Sequence, residues 1–141
     1  MLKPASKMVP KIHIIASIPF FLLFFILYGY WSFAFLLGAI FIDVDHLFWY
    51  FYRHKSLNLK KAYYYHRPGG GNEKDMLHIF HTIEFFVFLM ILSFFYKLLW
   101  MVLLGVTMHL IMDIYDMYKY KYSDARALSV IRWLNRRLIV Q

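Results

Sequence analysis

A chain of 141 residues is one domain by length, and at 62% hydrophobic, 22% aromatic and 17% charged it departs from soluble usage toward that of an integral membrane protein. The absence of cysteine excludes a disulfide framework and any thiolate metal site, so a metal would be held by His, Asp and Glu, ligands that suit zinc, manganese or iron. The net charge of +8 raises nucleic acid as a partner, but the placement of the charges argues for membrane topology and against nucleic-acid binding.

The start, Met1 to Lys11, is basic and leads into a long apolar run. No short apolar region with a small-residue cleavage site follows, which predicts a retained first helix rather than a removed signal peptide. Four segments, 12–30, 32–52, 76–96 and 98–118, are long enough to span at about 20 residues per crossing. Pro10 is placed to open the first helix, and Pro19 lies inside it where it can kink it. The links at Gly29-Tyr30-Trp31 and around Lys97 are very short and force antiparallel neighbours. The expected fold is therefore all-α: an integral membrane up-down four-helix bundle. Tyr28, Tyr30 and Trp31 at one end, and Trp49, Tyr50, Tyr52 and Tyr118 at the other, fit interfacial aromatic belts.

The loop 53–75 is polar, carries Arg53, Lys55, Lys60, Lys61, Arg67 and Lys74, and contains the breaker Pro68-Gly69-Gly70-Gly71-Asn72; a short helix is expected near 57–65. The tail 123–141 reads as a basic amphipathic helix. Leu128, Ile131, Leu134 and Leu138 form one face, with Arg126, Arg132, Arg136 and Arg137 mostly elsewhere, a pattern suited to an anionic lipid surface. Fifteen of the sixteen Lys and Arg residues fall before the first span, in the middle loop or after the fourth; only Lys97 lies on the other side. By the positive-inside tendency both termini and the loop are cytoplasmic.

This topology gives each polar residue a depth. Asp43, Asp45 and His46 come out roughly 9–14 Å below the cytoplasmic end of the second span, His81 and Glu84 about 8–12 Å in the third, and His109 and Asp113 about 8–14 Å in the fourth. His13 and His78 are shallower on the same side, and the outer halves contain almost nothing ionisable. One charge near the middle of a spanning helix costs about 2.5–3.5 kcal/mol on insertion scales, so two in three positions need a metal, a proton path or a bound substrate to justify them. His109 and Asp113 are one turn apart, as are Asp43 and His46, which is the usual way to hold a metal in a bundle; Asp45 points away unless the helix is distorted there. A lone histidine on an apolar helix is ordinarily a hydrogen-bonded core residue. His54 and His66 read as solvated or lipid-facing, and Asp116 as pairing with Lys119 or Lys121. Convergence from three or four helices is what points to a metal.

At Gly38, the run Ile42-Asp43-Val44-Asp45-His46, His66-Arg67, His78, His81 and the run from His109 to Asp113, the chain resembles the membrane-bound metal-dependent hydrolase family typified by the SOS-inducible inner-membrane protein YdjM, itself grouped with zinc-dependent phospholipase C and P1-type nucleases. The resemblance implies that His13, Asp43, Asp45, His46, His109 and Asp113 are metal-site residues. Ile42 stands where the family has proline, and the spacing after His66-Arg67 differs, so the ligand among His66, His78 and His81 stays open.

The expected function is a metal-dependent hydrolase at the cytoplasmic face, acting on a phosphate ester of a membrane lipid. Its cofactor would be a pair of zinc ions, with manganese or iron as alternatives. Asp45, Glu84 and Arg67 are the candidate catalytic residues, and Arg53 and Lys74 further candidates for holding the anionic group. Two other readings stand beside it: a di-iron oxygenase or desaturase, although no His-x-x-His-His occurs, and a non-catalytic metal-binding or structural membrane protein.

Overall fold

The computed structural model describes residues 10–66, 75–120 and 126–139, and these are predominantly helical. The breaker at 68–72, and with it Arg67 and Lys74, lies outside the described residues.

Helix α1 (Pro10–Tyr28) carries Pro19 without ending there. Gly29, at φ +59°, then reverses the chain through a single 3-10 turn, Gly29–Ser32. The reversal packs α1 on α2 (Phe33–Ile40), with the Phe21–Phe33 and Phe24–Phe35 ring pairs both at 5.2 Å. The expected second span is not one helix. A 3-10 turn, Phe41–Asp43, interrupts it before α3 (Val44–His54). Three residues at 3.0 per turn instead of 3.6 advance the facing direction by roughly 60°, which is the distortion that Asp45 needed in order to point inward.

Helix α4 (Leu59–Tyr65) is the short loop helix, capped by Asn58 Oδ1, which accepts from the Lys61 N–H at 2.9 Å. The third span is a correction. Strand β1 (Met76–Leu77) pairs in parallel with β2 (Arg126–Ala127), a 3-10 turn follows at Ile79–His81, and α5 covers only Ile83–Phe95. Thirteen residues rise about 20 Å, short of a hydrocarbon core of about 30 Å. Helix α6 (Lys97–Tyr120) is continuous, and α7 (Val130–Ile139) is the amphipathic tail.

The centre of the fold is the crossing of α2 and α6 at Gly38 and Gly105. Around it pack Ile42, Leu89, Leu103 and Val106. The outward surface is apolar, with Ile15, Leu22 and Ile26 of α1, Phe88, Ile91 and Phe95 of α5 and Ile111 and Ile114 of α6 all exposed. Two helical stretches, Lys11–His54 (folded back at Gly29) and Lys97–Lys119, are long and apolar enough to cross a membrane. Helix α7 is pinned at its start, where Glu84 accepts from the Ser129 hydroxyl at 2.6 Å and the Val130 N–H at 3.0 Å. Further along, the Trp133 indole donates to the Asp75 carbonyl at 3.0 Å and Arg136 pairs with the Asp75 carboxylate. Leu128, just before α7, and its Ile131, Leu134 and Leu138 remain exposed.

Candidate metal centre

Five separate pieces of chain bring imidazoles and carboxylates to one place. Helix α1 supplies His13, the 3-10 turn into α3 supplies Asp43, Asp45 and His46, the end of α4 supplies His66, the stretch after β1 supplies His78 and His81, and α6 supplies His109 and Asp113. His13, Asp45, His78, His81, His109 and Asp113 are buried. The side chains of Asp43 and His46 keep 20% and 24% of their surface, so the cluster opens on their side.

Asp43 is the hub. Its Oδ1 lies 3.2 Å from His46 Nε2, 3.4 Å from His81 Nε2 and 3.2 Å from His109 Nε2. His81 Nε2 and His109 Nε2 are themselves 3.3 Å apart. Donors bound tetrahedrally to zinc at about 2.0–2.1 Å stand roughly 3.3 Å from one another, so Asp43 Oδ1 with the Nε2 atoms of His81 and His109 has the spacing of donors around a shared cation, and His46 adjoins them through Asp43. Asp113 adds Oδ2 at 3.4 Å from His81 Nε2 and 3.6 Å from His109 Nε2.

The tautomers fit the same reading. The ring N–H at His109 Nδ1 donates to the Ala39 carbonyl at 2.8 Å, and carbonyls in the last turn of a helix such as α2 lack intrahelical partners. His81 Nδ1 donates to Asp45 Oδ2 at 3.1 Å, and the same oxygen accepts the Phe80 N–H at 2.9 Å. With each Nδ1 holding its proton, both Nε2 lone pairs aim at one point, which a positive ion relieves. His13 closes one side, stacked on the His109 ring at 3.9 Å with Nε2 3.4 Å from Asp113 Oδ1.

A second group adjoins the first. His46, His66 and His78 offer nitrogens within 4.8 Å of one another. His46 Nδ1 is 3.1 Å from His78 Nε2, and His66 Nε2 donates to the His46 carbonyl at 2.9 Å. Burial and the adjacent His46 push the His66 imidazole down to about 4, so its remaining lone pair is free at neutral pH. Buried His/Asp clusters able to hold a metal ion are thus present, and Asp43 and His46 join them.

The sequence-derived set divides in four. His13, Asp43, His46, His78, His81, His109 and Asp113 meet. Asp45 stands behind His81 and orients it instead of facing the convergence point. Glu84 is elsewhere: the backbone of 79–83 turns it onto the start of α7, where it accepts backbone and hydroxyl donors. Arg67 lies outside the described residues. His66, expected to be solvated or lipid-facing, lies within the cluster, and Asp116, expected to pair with Lys119 or Lys121, is buried. Arg126 was missed as a site residue. It reads as one charge of an amphipathic tail, yet its Nη1 donates to Asp113 Oδ2 at 2.7 Å. The β1–β2 pairing that carries it there spans 50 residues of sequence separation and leaves no local signal.

Compared with family models, with curated proteins and with solved structures, the chain matches none.

Proposed function

We propose that this protein is a membrane-embedded metal-dependent hydrolase that cleaves a phosphate ester of a lipid or lipid-linked substrate at the cytoplasmic face. The observation that carries the reading is the approach of the Nε2 atoms of His46, His81 and His109 to Asp43 Oδ1 at 3.2–3.4 Å, from three segments distant in sequence. The motif resemblance to the YdjM-like hydrolases supports the same chemistry.

In this reading α1, α2–α3 and α6 cross the bilayer, and the irregular stretch 76–82 completes the path of α5. Irregular backbone at membrane depth is tolerated where protein buries it, and His78, His81 and Thr82 are buried. The exposed apolar face of α7, flanked by Arg132, Arg136 and Arg137, rests on anionic headgroups.

Divalent ions, zinc in this proposal and a pair by the two adjoining groups, would supply an acidified water and polarise a phosphoryl oxygen. The chain's own residues prepare that chemistry. Asp45 and the Ala39 carbonyl hold the protons of His81 and His109 away from the centre. His13, His78 and the buried Ala39 of α2 and Val106 of α6 exclude bulk water and lower the local dielectric. Asp43 and His46 form the rim through which a headgroup enters.

The test is elemental analysis of protein purified without chelator, followed by hydrolysis assays on phosphate-bearing lipids. Expected are one to two zinc per chain, about one to two by the two donor groups, and loss of metal and activity in His109→Ala with helicity retained. A folded wild type free of metal would overturn the proposal, and stoichiometric iron would redirect it to the oxygenase reading.

A further inference from the structure

Arg126 is the first residue of β2, registered opposite Met76, so the backbone fixes where its side chain starts. That side chain keeps only 9% of its surface and donates from Nη1 to Asp113 Oδ2 at 2.7 Å. A guanidinium carries five N–H donors in a planar fork. The Nε–H of Arg126 is buried and has no hydrogen-bond partner among the described residues. Leaving a buried donor of a cation unpaired is costly, and an anion with two or more oxygens relieves it. The oxygen that Arg126 grips lies 3.4 Å from His81 Nε2 and 3.6 Å from His109 Nε2, so an anion in the fork would sit against the metal cluster.

We propose that Arg126 is the phosphate-binding residue of this site, its fork taking the non-bridging oxygens of a phosphate ester beside the Asp43–His81–His109 centre. The proposal rests on the hydrolase reading and deepens it by naming the substrate's anionic group and the residue that recognises it. Asp113 holds the guanidinium in place before substrate arrives and shares it afterwards. The planar fork suits phosphate better than a lysine point charge would. The grip also couples the tail to the chemistry, because β2 leads directly into α7.

The test uses the full chain in detergent. Metal content is measured first, then binding of inorganic phosphate and of monomeric dihexanoyl phosphatidic acid by titration calorimetry. Wild type should bind, and Arg126→Gln should weaken both probes by about tenfold or more with metal content and melting temperature kept. Tighter binding of the lipid probe with the same dependence on Arg126 identifies a lipid headgroup as the source, and equal binding identifies the phosphate group alone. Wild-type affinity in Arg126→Gln, or no binding of either probe by wild type, overturns the assignment. If Arg126→Gln fails to fold or sheds metal, Arg126→Lys decides. Retained metal with weakened phosphate binding supports the fork, while retained phosphate affinity, or loss of metal there too, overturns it. A wild type without metal whose phosphate binding still depends on Arg126 sinks the hydrolase reading and spares this one; a metal-loaded wild type indifferent to Arg126 does the reverse.

Discussion

Gly38 and Gly105 meet backbone to backbone. A Cβ on Gly105 would stand 2.1 Å from the Phe35 carbonyl oxygen, and one on Gly38 would stand 2.1 Å from that of Val102. Small residues at a helix crossing let two backbones approach this closely. The approach has a chemical consequence: it brings His109, one turn beyond Gly105, onto the Ala39 carbonyl, one residue beyond Gly38. Gly105→Ala should therefore both destabilise and impair the site. The expected cost is about 1–3 kcal/mol from overpacking, read as a lowered melting temperature in detergent, together with reduced metal retention. Alanine at Gly29 meets nothing within 4 Å, but Gly29 is at φ +59°, so it tests backbone strain at the reversal instead.

Asp45 acts through His81. Asn at this position can turn its amide N–H toward Nδ1 and drive the proton to Nε2, removing a lone pair from the centre. Asp45→Asn should lower metal affinity by about 10–100-fold with the helical content unchanged. Equal metal affinity in wild type and variant, measured by competition with a chelating dye, would remove Asp45 from the site.

Glu84 provides the contrast. Its carboxylate accepts the N–H groups of Val130 and Ile131 and the Ser129 hydroxyl. Glu84→Gln should leave metal content intact and loosen α7, at a cost of about 0.5–2 kcal/mol as for a lost helix cap. Faster amide hydrogen exchange across 130–139 would report it. Loss of metal instead would return Glu84 to the active centre.

The orientation proposed above is open to labelling, since the chain has no cysteine of its own. Lys60, Tyr30 and Tyr96 are all exposed. Cysteine at Lys60 should react only with reagent on the cytoplasmic side, and cysteine at Tyr30 or Tyr96 only from the opposite side. Labelling of all three from one side would argue against a membrane crossing between them.

Several features of this chain were legible in its sequence because they are local. Helices and their short links follow from apolar run length and Gly29, and His109 with Asp113 share a face because an α-helix repeats every 3.6 residues. The nearness of Asp43 and His46 to His109 and Asp113 follows from counting residues from the helix ends, with His13 on the same side. Tertiary structure decided what depends on rotation about helix axes and on contacts distant in sequence. The 3-10 turn at Phe41–Asp43 re-aimed Asp45, the β1–β2 pair shortened α5 and carried Arg126 to Asp113, and the turn at Ile79–His81 sent Glu84 to cap α7 while seating His78 beside His46 and His66. Periodicity fixes which residues share a face only while the helix runs on; where backbone hydrogen bonding changes partners, packing and the need to satisfy buried polar groups choose the direction.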